Sequence, residues 1–309
     1  AYMGRYQEAE SLFLDALPVF EKVYGKEPAP YVNSLSNLAN LYTITGQTDK
    51  ALDIFLKILP ILKKNIGEET NDYTRVLNKL AILYETIGQY ELSETAYREA
   101  NQLQMKYLTK AAYYLSEQEL SNFTAMVLDL FDRYLSFAQS LPRRSPVLAQ
   151  DLYENLLFQK GFLLHAVSRR NHLATSDSTT NEIHEILKSC RRLLAELYVL
   201  PLAERDQARV FALENKADSL EKVMLFQVDG LAGAIHQVRW QDVQSVLKSG
   251  DVAVEFVRYL DYSKVGNCNP KYLALLLRPG DAHPLFIPLF EEKSLDSLLY
   301  TRGERKADY

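Results

Sequence analysis

A glycine-centred hexapeptide recurs at a fixed interval along the first third of this chain. Gly4-Arg5-Tyr6-Gln7-Glu8-Ala9 returns as Gly46-Gln47-Thr48-Asp49-Lys50-Ala51 and as Gly88-Gln89-Tyr90-Glu91-Leu92-Ser93, 42 residues apart each time. A self-similar period of this length means a stack of supersecondary units, each too small to bury its apolar face alone. The residues after each glycine keep step: Ala9, Phe13 and Ala16 become Ala51, Phe55 and Ile58, then Ser93, Tyr97 and Ala100. That i, i+4, i+7 spacing is the buried stripe of an amphipathic helix. Before the glycines, Leu35, Leu38, Ala39 and Tyr42 match Leu77, Leu80, Ala81 and Tyr84. Each unit is therefore two helices. The glycine supplies the left-handed turn between them, Ala39 and Ala51 allow close approach, and Tyr42 and Phe55 fill the space between units.

These residues resemble the tetratricopeptide consensus in the 42-residue form of kinesin light chains. The resemblance covers residues 1–110 and implies a helical-repeat solenoid with a concave, peptide-lined groove. Gly4 should be preceded by the first helix of its unit, and repeat arrays need about three units for a continuous core. Further repeats before residue 1 are therefore expected in the parent protein.

After Lys110 the 42-residue spacing ends. Ser116-Glu117-Gln118-Glu119 has the capping-box pattern and predicts a helix to about Ser140, stopped by Leu141-Pro142. Ser145-Pro146 restarts a helix to about Arg170, and Asn171–Asn181 reads as a polar, mobile loop. Two stripes follow: Ile183, Ile186, Cys190, Leu193 and Leu197, then Val210, Leu213, Ala217, Leu220 and Met224. With Pro201 between them they predict an antiparallel hairpin that buries Cys190. From Val252 the pattern turns to strands: Val252–Tyr259, Tyr272–Arg278 and Leu285–Leu289, with turns at Gly266-Asn267 and Pro279-Gly280. Three strands make a small sheet, and they read as the opening of a second domain.

The block Leu115–Gln139, with Trp240–Tyr259 and Tyr272–Pro279, is similar to the caspase-like CHAT peptidases, in which helical repeats run into an α/β domain. The resemblance implies a regulatory region joined to a cysteine peptidase. The family's catalytic histidine, in a His-Gly context, and cysteine, in an Ala-Cys context, do not occur in this chain. The organisation read from the sequence is thus tetratricopeptide repeats at 1–110, a helical linker and hairpin region at 111–228, and the N-terminal part of a CHAT-like domain at 229–309. The fold class is mainly α, ending in a small β-containing segment that begins an α/β caspase-like domain.

Composition narrows the function classes. A net charge of −5 argues against a general nucleic-acid binder, since Arg143-Arg144, Arg169-Arg170 and Arg191-Arg192 are interspersed with acids. No apolar run approaches the length of a membrane-spanning helix. Two cysteines, Cys190 and Cys268, form no disulfide framework and point to a reducing cytoplasm. The five histidines stand apart, without metal-ligand spacing, and no Gly-rich loop is followed by a Lys-Ser/Thr, so neither metal nor other cofactor is expected. Cys268 with His236 or His283 is the one conceivable cysteine–histidine dyad. It lies in Gly266-Asn-Cys-Asn-Pro270 without the family's local sequence, and a loop thiol with no role is the plainer reading. The chain as given is expected to be no enzyme.

The candidate site lies in the repeats. Asn33 and Asn37 occupy the same first-helix positions as Arg75 and Lys79, on the face away from the Leu/Ala stripe. The resemblance places that face in the concave groove. Asparagine amides there can grip an extended peptide backbone, and Arg75 and Lys79 can hold a carboxylate. The competing reading is a solvated helix face. The expected partner is a protein or an extended peptide segment, with no nucleic acid, membrane or metal. The alternatives carried forward are an adaptor with a degenerate C-terminal domain and an active peptidase using Cys268.

Overall fold

A computed structural model of the protein describes residues 5–25, 29–112, 114–142, 144–174, 178–227, 238–262 and 269–295. The first five helices are α1 (Tyr6–Tyr24), α2 (Ala29–Ile44), α3 (Thr48–Ile66), α4 (Asn71–Thr86) and α5 (Tyr90–Ala111). They pack as the period requires. Ala39, Ala51, Ala81 and Ala100 are fully buried where neighbouring helices touch, and Tyr42, Phe55 and Tyr97 fill the gaps between them. Gly46 and Gly88 close the α2–α3 and α4–α5 turns at φ of 74° and 76°, a region in which a side chain is strained. In the last copy Ser93 replaces alanine, and its buried hydroxyl donates to the Ala81 carbonyl at 2.9 Å.

Next come α6 (Glu117–Ser140) and α7 (Pro146–Ala174). The expected capping box is present: the Glu119 N–H donates to the Ser116 hydroxyl at 3.2 Å, and the Ser116 N–H to the Glu119 carboxylate at 3.1 Å. The helix stops where Leu141 turns extended ahead of Pro142. On α6 the burial pattern of the repeats returns 54 positions beyond α4. Leu130, Phe131, Tyr134, Leu135 and Phe137 are buried as Val76, Leu77, Leu80, Ala81 and Leu83 are. Side-chain contacts agree, since Ser140 reaches Glu85 near the ends of both helices. The 42-residue spacing ends, but α6 continues the row of first helices formed by α2 and α4.

The loop expected at Asn171–Asn181 is corrected at 171–174 and 178–181, which are helical, and residues 175–177 lie outside the described residues. α7 runs on to Ala174 and α8 (Ser178–Tyr198) begins at Ser178. Asn171-His-Leu-Ala174 has no glycine or proline to break a helix, so the polar composition misled. α8 pairs with α9 (Gln207–Gln227) as the predicted hairpin, through Leu187, Cys190, Ala217 and Met224. The α8 stripe is rotated from the expectation: Leu187 and Leu194 are buried, whereas Ile186 is 45% exposed. A strict heptad sequence fits both registers, and packing on α9 selects one. The hairpin is tied to α6 by the buried Glu221, which accepts the Glu117 N–H at 2.6 Å and Arg191 at 2.7 Å.

A short helix, α10 (Trp240–Val246), leads into β1 (Ala253–Asp261), β2 (Asn269–Leu277) and β3 (Leu285–Glu291). They form one antiparallel sheet in chain order, with Val257 opposite Leu273 and Leu275 opposite Phe286. The inner residues Val257, Tyr259, Leu273, Leu275 and Leu277 share a single core with Trp240 and with the buried faces of α6 and α7. The sheet is therefore seated on the helical block. The Pro279-Gly280 turn forms, with Gly280 at φ 82°. Gly4, His236, Gly266, Asn267 and Cys268 lie outside the described residues.

Candidate binding groove

Asn33 and Asn37 on α2, and Arg75 and Lys79 on α4, line one open cavity of roughly 400 Å³. Four-residue spacing puts each pair on one helix face, and the parallel setting of α2 and α4 aligns the two faces. The floor is apolar, formed by Val32, Phe55, Leu62 and Val76, and the rim is polar. Such a cleft buries an extended chain's side chains while its backbone meets amides and charges.

Three polar lining residues escaped the sequence reading, Ser36, Asn40 and Asp72, as did the apolar Val32, Leu62 and Val76. Asn40 carries the more telling feature, because its amide oxygen is buried with no hydrogen-bond partner among the described residues. An unsatisfied acceptor of this kind is costly, and a ligand N–H would satisfy it. Its sequence signal was the run Asn33, Asn37, Asn40, which continues one face at i, i+4, i+7.

The two cations differ. Arg75 is exposed and sits 3.7 Å from Asp72, one turn back. Lys79 is not the solvated side chain of the competing reading: it is half-buried, and it makes no hydrogen bond or ion pair among the described residues. Burial pushes the Lys79 ammonium below its ordinary value, and the guanidiniums of Arg133 and Arg75 push it further, with Asp129 opposing them. A cation held against two others, partly out of water, is poised to accept an anion.

On α6 the same face carries Asp129, Asp132, Arg133 and Ser136. Here the chain's own β1 end is seated in extended form. Asp132 accepts the Leu260 N–H at 3.1 Å, and Ser136 accepts the Tyr262 N–H at 2.9 Å while donating to Asp261 at 2.8 Å. The Arg133 guanidinium lies over the Tyr262 ring at 4.1 Å and bonds Asp129 at 3.0 Å. Tyr262 also donates its hydroxyl to Asp129. Burial holds the Asp132 carboxyl at about 6, above its ordinary 3.8, despite the stabilising Leu260 N–H.

Two candidates for reactive chemistry lie elsewhere among the described residues. Cys190 is a buried free thiol, and the His283 ring packs on its own loop, its Nδ1 3.0 Å from the Pro284 carbonyl. Among the described residues no group of three or more His, Cys, Asp or Glu side chains is placed to hold a metal ion. No described helix is long and apolar enough to cross a membrane.

A row of parallel first helices with a groove along its inner face defines a helical-repeat protein. The family model of the tetratricopeptide repeat matches residues 1–64 and again residues 30–104, so this part of the chain consists of tetratricopeptide repeats. Solved structures similar to the chain include BtubC (BKLC) from P. vanneervenii, 18% identical over 74% of this chain and 78% of that one, with a TM-score of 0.32. Another is a kinesin-light-chain-type protein of nearly identical TPR-like repeats from Podosopora anserina. It is 17% identical over 57% of this chain and 92% of that one, with a TM-score of 0.32. A comparison with curated proteins gives no match.

Proposed function

We propose that the chain is a peptide-binding module whose groove takes an extended, carboxylate-bearing segment of a protein. The observation that carries this is the shared cavity of Asn33, Asn37, Arg75 and Lys79, in which Lys79 makes no hydrogen bond or ion pair among the described residues. In this reading the asparagines and the unsatisfied Asn40 oxygen hold the ligand backbone, Val32 and Phe55 receive an apolar side chain, and Arg75 with Lys79 holds the acid.

The test is an array of ten-residue peptides in which acidic positions are varied to amides and the C-terminus is free or amidated. Binding should follow acidic content. Lys79→Glu replaces attraction by repulsion at a partly desolvated contact and should cost on the order of 2–5 kcal/mol of affinity. Arg75→Ala should act in the same direction and flatten the salt dependence. Equal affinity across wild type and both variants would reduce the groove to an ordinary solvated face.

The wider reading is that this module is the regulatory half of a CHAT-type cysteine peptidase and is not itself catalytic. The similarity of Trp240–Tyr259 and Tyr272–Pro279 to that family supports it. So does the outer face of the sheet, where Phe256 is 64% exposed beside Val254 and Ile287. A sheet covered on one face only is suited to receive a second layer. The chain should turn over no member of a peptide library, and turnover lost on Cys268→Ala would establish the opposite. A pure adaptor is the alternative, and the groove experiment reads the same for either.

A further inference from the structure

The junction of α5, α6 and α7 leaves a small cavity of about 20 Å³ between two apolar clusters, with Phe131 in one and Leu108, Phe158 and Phe162 in the other. Three buried amides are set in its wall: Gln104 and Asn101 from α5 and Asn155 from α7, which are 6%, 4% and 4% exposed. Their hydrogen bonds divide in one way only. The Thr74 hydroxyl on α4 donates to Gln104 Oε1 at 3.2 Å. The other end of that amide, Nε2, is buried with no partner among the described residues. The asparagines are bonded through their nitrogens instead. Asn101 Nδ2 donates to the Tyr97 carbonyl one turn back at 2.9 Å, and Asn155 Nδ2 makes the same bond to the Asp151 carbonyl at 2.8 Å. Each keeps its Oδ1 as an acceptor. Around this cavity the three amides therefore offer one donor and two acceptors.

We infer that this cavity is a binding site for a single water molecule, held by Gln104, Asn101 and Asn155. The size fits, since one water needs roughly 10–15 Å³ of such space and an organic ligand needs far more. The chemistry fits as well. Water accepts from Gln104 Nε2 and donates one hydrogen to each asparagine Oδ1, which makes the roughly three bonds usual for an internal water. A cation would face the Nε2 donor and an anion would face two oxygens, so neither matches the set. A dry cavity would leave the Gln104 donor buried and unpaired, a larger penalty than an ordinary lost hydrogen bond. The site lies at the junction of the repeats with α7, apart from the groove, and is independent of the groove reading. It adds to the Arg98–Asp151 contact a second polar tie between α5 and α7, and Thr74 extends that tie to α4. Set among apolar side chains, such a tie favours the one rotation of α5 on α7 that brings all three amides to the water.

The probe is water itself. Oxygen-17 relaxation dispersion of the full chain counts the water molecules held long enough to tumble with the protein. Wild type should hold about one more than Gln104→Met, whose side chain is of similar length without the amide. Asn155→Leu removes an acceptor and should lose the same molecule. Gln7→Met, at an exposed position on α1, should leave the count unchanged. If the two buried variants fold poorly, the wild type alone decides. A crystal structure should then place a water about 2.9 Å from Gln104 Nε2 and within hydrogen-bond reach of both asparagine oxygens. An equal count in wild type and both buried variants overturns the inference. So does a crystal structure in which Gln104 Nε2 bonds a protein oxygen directly, because the site would then have closed on itself.

Discussion

The Asp132 carboxylate on α6 accepts the backbone N–H of Leu260 at 3.1 Å, joining the repeat-like helices to the sheet across 128 residues of chain. This contact is made by a partly buried acid whose ionised form is disfavoured there. Its carboxyl is raised from 3.8 to about 6 by burial. The folded state therefore holds this proton more tightly than the unfolded chain does. The sign follows: the group's contribution to stability is highest below about pH 4 and falls as pH rises to about 6. Asp132→Asn keeps an acceptor and removes the charge. It should stabilise the protein at pH 7.5 by on the order of 1 kcal/mol, the exposed edge of the carboxyl screening part of the cost. The advantage should shrink as the pH is lowered from 6 toward 4. Urea unfolding of both forms across that range decides it, and a pH-independent difference would contradict the assignment.

Lys79 gives a stability test separate from binding. It is half-buried and feels both Arg75 and Arg133, so Lys79→Glu converts two repulsions into attractions and the smaller attraction of Asp129 into a repulsion. The variant should melt no lower than wild type and gain about 0.5–1 kcal/mol at low salt, with the gain fading in 0.5 M NaCl as the charges are screened. A large fall in melting temperature would mean that the aliphatic stem carries the packing.

The α5–α7 contact depends on Arg98, which bonds Asp151 at 2.5 Å and Glu94 at 2.8 Å. Asp151 is largely buried, and besides Arg98 it has the Tyr134 hydroxyl at 3.4 Å. Arg98→Ala leaves that carboxylate without its cation and should cost about 2–3 kcal/mol. Combined with Asp151→Ala the loss should fall short of the sum by about 1 kcal/mol or more. Additive losses in a double-mutant cycle would show the pair to be uncoupled.

Cys190 lies in the α8–α9 core at 4% exposure. A neutral thiol reagent should label it at least about a hundredfold more slowly than a free cysteine peptide, since reaction needs a local opening of the hairpin. In Met224→Ala, which empties space beside it, labelling should quicken and stability should fall by about 2–4 kcal/mol. Labelling at the peptide rate in the wild type would mean that the hairpin does not close.

Much of the molecule was legible residue by residue. The 42-residue step marked five helices and the buried faces of α2 to α5, because a helix that hides one side must place apolar residues at i, i+4, i+7; on α1 the same stripe, Ala9, Phe13 and Ala16, is half-buried. The glycine turns, the Ser116–Glu119 cap and the three strands carry their own local chemistry. The pairing of Asn33/Asn37 with Arg75/Lys79 followed from the same step. Three things did not follow. The α8 register was open until α9 chose Leu187 and Leu194 over Ile186. The Asn171–Asn181 segment looked like a loop because polar composition says nothing about helix ends when no breaker is present. The return of the repeats' burial pattern on α6 was hidden because its step is 12 residues longer, which carries Asp129 and Arg133 to the positions matching Arg75 and Lys79. Periodicity records which face of an element is covered. It does not record what covers it, and the hold of Asp132 and Ser136 on Leu260 and Tyr262 joins residues that share no local pattern. The sequence by itself determined the repeat and the face it turns inward; only tertiary packing decided that Lys79 is half-buried and that α6 takes hold of the end of β1.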